Sequence, residues 1–228
     1  MPIRLLCACL YCLYQASSDR RTVRQCCFLG RCPFEFTMTN QEALFSYLSA
    51  QLSLDNEAAQ QIAGLFTFVH FEVGKEIIRM GGRSDSMYLV LKGLVRAFYI
   101  DENGNEITKC FAKEMDWCGF YNYLTDGPSP FFVEALESVE TACIKTSDIR
   151  RLCSKSPLLA EKVAKLINQA YLQTDKKAYA FASKDAKERW LDFSKENPEI
   201  VNRAKQEHIA SYLGITPSSL SRLKREIK

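Results

Sequence analysis

Histidine is nearly missing from this chain: His70 and His208 are the only two in 228 residues. That scarcity removes the imidazole pairs on which most zinc sites and nucleophile-activating dyads are built. Neither a glycine-rich P-loop nor a G-x-S-x-G elbow occurs. No catalytic residue is therefore assigned, no metal or cofactor is expected, and the chain does not read as an enzyme. No apolar run approaches the ~20 residues that span a bilayer, so no membrane contact is expected. Cysteine is scarce beyond residue 37, where only Cys110, Cys118, Cys143 and Cys153 remain. These four lack paired spacing and sit in apolar runs, the pattern of free thiols in a reducing compartment. A cytoplasmic location is expected.

The other six cysteines (Cys7, Cys9, Cys12, Cys26, Cys27 and Cys32) crowd the first 37 residues. MPIRLLCACLYCLYQASS imitates a secretory signal, with Arg4 ahead of an apolar stretch and small residues behind it. Three cysteines interrupt that stretch, and adjacent Cys26 and Cys27 fit metal-ligand spacings poorly. Residues 1–37 are expected to be a non-native or disordered extension, with Met38 as the natural start; a targeting signal and a metal or redox segment are the alternatives. Charge is also uneven. Residues 1–37 carry +3, residues 38–183 carry −3, and residues 184–228 carry +3. A basic tail on a mildly acidic body points toward a polyanion at the C-terminus.

Residues 38–155 read as two short helices followed by strands. Gln41–Leu52 and Asp55–Gly64 have helical spacing, with Asp55 as N-cap. Strands are expected near Phe66–Val73, Met87–Leu91, Val95–Ile100, Glu106–Phe111, Phe131–Leu136 and Glu140–Thr146, with Asn103-Gly104 in a hairpin tip. Short strands with frequent glycine-bearing turns predict an antiparallel, jelly-roll-like β-roll. Glycine and proline are then absent from Leu158 to Ser183. Ala160, Ala164, Ile167, Tyr171, Thr174, Ala178 and Phe181 follow a 4-3 spacing there, the pattern of a core stripe or dimer seam. Residues 156–183 are expected to form a dimerisation helix. A further helix, Asp185–Lys195, stops before Pro198.

Residues 184–228 end in QEHIASYLGITPSSLSRLKREIK. Ile209, Ala210 and Leu213 face inward, Gly214 suits a left-handed helix end, Thr216 is an N-cap and Pro217 a first helical residue. Leu220, Leu223 and Ile227 bury one side of the last helix. This is the spacing of a helix-turn-helix. Arg222 is the candidate for reading a guanine edge, with Ser218, Ser219 and Ser221 beside it. Lys205, Lys224 and Arg225 are candidates for phosphates, and Thr216 lies at the helix start. His208 reads either as a phosphate contact or as an exposed surface residue.

In this order, a roll, a long helix and a helix-turn-helix resemble the Crp/Fnr family of bacterial transcription regulators. The marks are Val73-Gly74-Lys75, Tyr88 to Arg96, Asp101 to Glu106 and LGITPSSLSRLK. The resemblance implies an α+β fold and a homodimer on pseudo-palindromic double-stranded DNA, with direct contact to RNA polymerase left open. No wing is expected after Lys228, which lowers the expected affinity. The family's phosphate-binding cassette falls on Cys118 to Leu136, with Gly119 and Gly127 as its glycines. Its ribose-binding Glu position is Phe120, and its Arg-Ser positions are Pro130-Phe131. Lys and Arg are absent from Cys118 through Ile144, and a buried phosphate without a cation is costly. Tight cyclic-nucleotide binding is not expected. Gly119, Phe120, Tyr121, Tyr123, Phe131, Phe132 and Tyr171 are candidates to line a site for another, unknown small-molecule effector, or to fill the space themselves. The family's iron–sulfur variant needs a cysteine on the other face of the strand that holds Cys143. The alternatives are a cyclic-nucleotide regulator with an atypical pocket and a protein-interaction module.

Overall fold

The computed structural model describes residues 39–51 and 54–226. The expectations for residues 1–37, Met38 and Ile227 lie outside the described residues. Helices α1 (Asn40–Gln51) and α2 (Asn56–Ala63) come first. Asp55 caps α2, its carboxylate accepting from the Ala58 amide at 2.8 Å. Leu44 and Leu48 of α1 and Ala59 of α2 share a core with Leu89 and Ala142.

Eight strands follow: β1 (Thr67–Phe71), β2 (Glu76–Ile78), β3 (Ser86–Lys92), β4 (Val95–Ile100), β5 (Glu106–Ala112), β6 (Trp117–Cys118), β7 (Phe132–Ala135) and β8 (Val139–Lys145). They form two four-stranded antiparallel sheets, ordered β1-β8-β3-β6 and β2-β7-β4-β5. The expected roll is present. β2 and β6 were not expected, because two or three residues are too few to show a period. Strand alternation divides β4 cleanly. Val95 and Ala97 join Val90, Val133 and Val139 in the core between the sheets. Arg96 and Phe98 face outward with Glu134 and Phe132 of β7, their register partners. β4 meets β5 as Ala97↔Cys110 and then Phe98↔Thr108, so Lys109 is an extra residue, a β-bulge.

Helix α3 (Phe120–Thr125) bridges β6 and β7, and α4 (Thr146–Lys155) follows β8. α4 carried no start signal, since its cap residue Lys145 makes no side-chain cap bond. α5 (Pro157–Ser183) is the expected long helix. Ser156 caps it, its hydroxyl accepting from the Leu159 amide at 3.3 Å. Leu159 is buried against the α1–α2 core, whereas Tyr171, Leu172, Tyr179 and Phe181 are exposed.

α6 (Ala186–Glu196) starts at a capping box of Asp185 and Glu188. α7 (Pro198–Arg203), α8 (Gln206–Leu213) and α9 (Pro217–Glu226) complete the chain. Proline opens α7 at its first position, where a missing N–H costs nothing. Trp190, Phe193, Ile200, Ile209, Leu213 and Leu220 share one core with Leu94, Phe111 and Leu136. The C-terminal helices thus pack on the outward face of the β4–β5–β7 sheet. Thr39–Lys228 forms one compact unit.

Candidate functional site

The α8–α9 pair follows its sequence pattern closely. Ile209, Ala210, Leu213 and Leu220 are almost wholly buried, each large one stabilising by ~2 kcal/mol. Gly214 holds φ 67°, and a Cβ there would lie 2.6 Å from the Phe181 ring of α5. The turn is therefore a close approach that only glycine permits. Thr216 caps α9, its hydroxyl accepting from the Ser219 amide at 3.1 Å. Ser218, Ser221, Arg222 and Arg225 are exposed and Ser219 is half-buried. Arg222 makes only a loose ion pair with Glu226 at 3.9 Å. Lys205 is exposed, 3.7 Å from Glu207. Lys224 Nζ lies 4.9 Å from the Trp190 ring, so it reaches from α9 toward α6.

Behind that pair, the outward sheet face is a network of paired charges. Arg96, 1% exposed, bonds Glu106 and has its Nε 2.9 Å from Glu134. His208 of α8 is buried beside them. Burial first, then the Arg96 charge, lowers its pKa to about 4, so it sits neutral. It is therefore not the exposed residue or phosphate contact that its position at the start of a helix predicted. Glu106, Glu134 and His208 offer ligand atoms within 4.8 Å of one another, and the Arg96 guanidinium already pairs with both carboxylates. Ser211 ties α8 to β5, donating to the Glu106 carbonyl at 2.7 Å and accepting from the Thr108 amide at 2.9 Å. Arg203 of α7 forks onto Glu114 at 2.9 Å and Glu137 at 2.7 Å. Burial pushes Glu114 up, but the Arg203 hydrogen bond and charge outweigh it and leave its pKa lowered.

The inward side is different. A groove of about 1670 Å³ runs between β4–β5, α3 and α5. Phe131 is its aromatic centre, with Tyr99 at 5.8 Å and Tyr121 at 5.9 Å, both edge-on. Lys109 Nζ lies 5.1 Å from the Phe131 ring. Lys177 of α5 donates to the carbonyls of Thr108 at 2.9 Å and Lys109 at 3.0 Å. Its ammonium lies 4.1 Å from the Tyr212 ring. Burial lowers its pKa to about 8. Cys110 and Cys118 also line the groove, and burial raises both thiols.

Of the sequence candidates for this groove, Gly119, Phe120, Tyr121, Phe131 and Tyr171 line it. Gly119 begins α3 with φ 97°, and a Cβ there would meet the Ser86 carbonyl at 2.8 Å. Tyr123 and Phe132 do not line it. Tyr123, one turn after Phe120, packs toward Met87 and Ile149 and under Arg150, 5.2 Å from its ring. Phe132 stacks on Phe98 at 5.2 Å on the outward face. Both corrections follow from periodicity, since Phe132 shares its face with Glu134 and Tyr121 points away from Tyr123. Lys109 and Lys177 were missed. A glycine-free bulge leaves no mark in the sequence, and Lys177 falls beside the α5 stripe. The four cysteines after residue 37 are free, as expected.

The cyclic nucleotide-binding domain family profile matches residues 68–156. The fumarate and nitrate reduction regulatory protein of Vibrio cholerae is 26% identical over 164 residues, 66% of this chain and 64% of that protein's length. The global nitrogen regulator of Synechococcus elongatus is 25% identical, covering 69% of this chain and 77% of that one. The structure of FixK2 from Bradyrhizobium japonicum matches with a TM-score of 0.64 at 20% identity, over 71% of this chain and 84% of that one. The fold and the family profile define a cyclic nucleotide-binding type of β-roll. These relatives are named as regulators, and the chain is similar to them over about two thirds of its length.

Proposed function

We propose that this chain acts in the cytoplasm as a homodimeric, double-stranded-DNA-binding transcription regulator whose roll does not answer to cyclic nucleotides. The observation that carries this is α9: a capped helix with Ser218, Ser221, Arg222 and Arg225 turned to solvent and Leu220 anchored behind. Such a helix fits a major groove, with Arg222 on base edges, Ser219 near them, and Thr216, Lys205, Lys224 and Arg225 toward phosphates. Residues 184–228 would be the DNA-binding part, 156–183 the dimerisation helix and 38–155 the sensor. The exposed Tyr171, Leu172, Tyr179 and Phe181 of α5 supply an apolar strip for a second copy. No helix of the described residues is long and apolar enough to cross a membrane. The cyclic-nucleotide handles are replaced by Phe120, Pro130 and Phe131, and Arg150 points to Asp126 at 2.7 Å instead.

The test is selection of the full chain's preferred duplex from a random pool, followed by affinity against salt. Phosphate-driven binding weakens steeply as salt rises. Arg222→Ala should cost ~1–3 kcal/mol on the selected duplex and relax one base position. Equal affinity for all duplexes, before and after the change, would remove DNA readout from this helix.

A further inference from the structure

Among the described residues, three cations line the groove without a salt bridge, Lys109, Lys177 and Arg189, and Arg189 is turned to the Leu213 and Lys184 carbonyls at its rim. Among the described residues, neither Lys109 nor Lys177 forms a salt bridge, although both of the large arginines on the opposite sheet face do. Lys109 is the extra residue of the β5 bulge and lines the groove beside its neighbour Cys110. Bulges re-aim side chains in this way at functional sites. Lys177 binds the two carbonyls of that bulge and keeps one of its three N–H groups. The Lys109 ammonium lies against the Phe131 ring and the Lys177 ammonium against the Tyr212 ring, each losing hydration there, and the Lys109 charge repels that of Lys177. An anion between them would offset both costs. The rings of Tyr99, Tyr121 and Phe131 meet the same space, so the rest of the ligand is apolar.

We propose that this groove binds a small organic carboxylate with an aromatic or apolar body, its carboxylate held by Lys109 and Lys177 and its body against Tyr99, Tyr121 and Phe131. The assignment rests on the regulator reading, whose effector it names by class. A carboxylate fits better than a cyclic phosphate, because the cassette offers no sugar-binding carboxylate at Phe120.

The experiment is calorimetric titration of the full chain with cinnamate and octanoate, each paired with its uncharged amide, and with cyclic AMP. At least one carboxylate should bind saturably, its amide about tenfold more weakly or worse, and Lys109→Met and Lys177→Met should each lose about tenfold. Silence from both carboxylates, equal binding of acid and amide, or saturable cyclic AMP binding that Lys177→Met abolishes would each overturn the assignment. If a lysine variant fails to fold, the acid–amide comparison on the unaltered chain still decides. Duplex selection separates this from the regulator reading. Selective DNA binding with silent carboxylates sinks the ligand assignment alone. Carboxylate binding without selective DNA binding sinks the regulator reading and leaves the groove assignment standing.

Discussion

The two faces of the β2–β7–β4–β5 sheet treat positive charge in opposite ways. On the outward face Arg96 and Arg203 meet four carboxylates, Arg96 across three strands of the roll and Arg203 from α7 onto the roll. In the groove, Lys109 meets the Phe131 ring, and Lys177 of α5 meets two β5 carbonyls and the Tyr212 ring of α8. Paired charges fix one arrangement, although Arg96 Nε and His208 Nδ1 are buried without a hydrogen-bond partner among the described residues. An unsatisfied pair holds local strain that a ligand can relieve. The outward face is built for docking, and the inward face is left open to a charge from outside.

The comparison breaks first at Arg96. Its side chain is 1% exposed. Arg96→Met leaves Glu134 half-buried without its cation, in a place where burial already raises its pKa. Breaking a buried pair in this way costs ~3–5 kcal/mol. Urea unfolding of the full chain measures it, and a loss well under 1 kcal/mol would show that the outward network does not hold the fold. Arg203→Ala should cost less, ~1–3 kcal/mol, because Arg203 itself is 23% exposed where Arg96 is almost wholly buried. Its loss frees the α7 end of the C-terminal helices, and amide exchange in α7 and α8 should rise ahead of exchange in β3 and β8. Uniform exchange would mean that Arg203 supports the whole unit rather than the docking face.

The parts legible in the sequence were those written in local spacing. The strand alternation of β4, the cap at Asp55, the turn glycine of α8–α9 and the unbroken α5 all appeared as periods or caps, and the structure has them. What escaped depends on contacts distant in the chain. His208 looked exposed because nothing near it says that α8 lies on β5. Lys109 looked like an ordinary alternating strand residue, since a bulge is a mismatch between two strands and neither strand shows it alone. Phe132 was a legible position misread: its alternation with Val133 and Glu134 already assigned it to the polar face.

His208 gives a pH signature of the outward face. Its folded pKa is lowered to about 4 from an ordinary 6.5. Between those values the unfolded chain binds more protons, so stability is lost as pH falls from 6.5 toward 4 and is unaffected by this group above 6.5. The charged groups around it are Arg96 of β4, Glu106 of β5, Glu134 of β7 and its own neighbours Lys205 and Glu207. Glu134, whose pKa is raised mainly by burial, acts in the opposite sense as pH falls. The difference between the native chain and His208→Gln isolates the histidine. A flat difference across that window would mean that water reaches the ring.

The smallest effect belongs to the inward face. Removing a half-buried cation without a carboxylate loses two hydrogen bonds to carbonyls but also ends a desolvation cost, so Lys177→Met should change stability by less than ~1 kcal/mol near neutral pH. Its signature lies at alkaline pH. The folded pKa is lowered to about 8 from 10.5, so the unfolded chain binds more protons in that window and Lys177 makes stability rise with pH there. Cys110 and Tyr212, packed beside it, have raised pKa values, Tyr212 to about 12, and pull stability down over part of the same range. Lys109, the remaining neighbour, acts on Lys177 by repulsion. Subtracting the Lys177→Met profile from the native one cancels the thiol and the phenol to first order and leaves the rise. With a bound carboxylate, the ammonium gains a partner and the rise should shrink or vanish. A native profile that lacks the rise without ligand would mean that Lys177 is already solvated or paired, and the contrast between the two faces would then disappear.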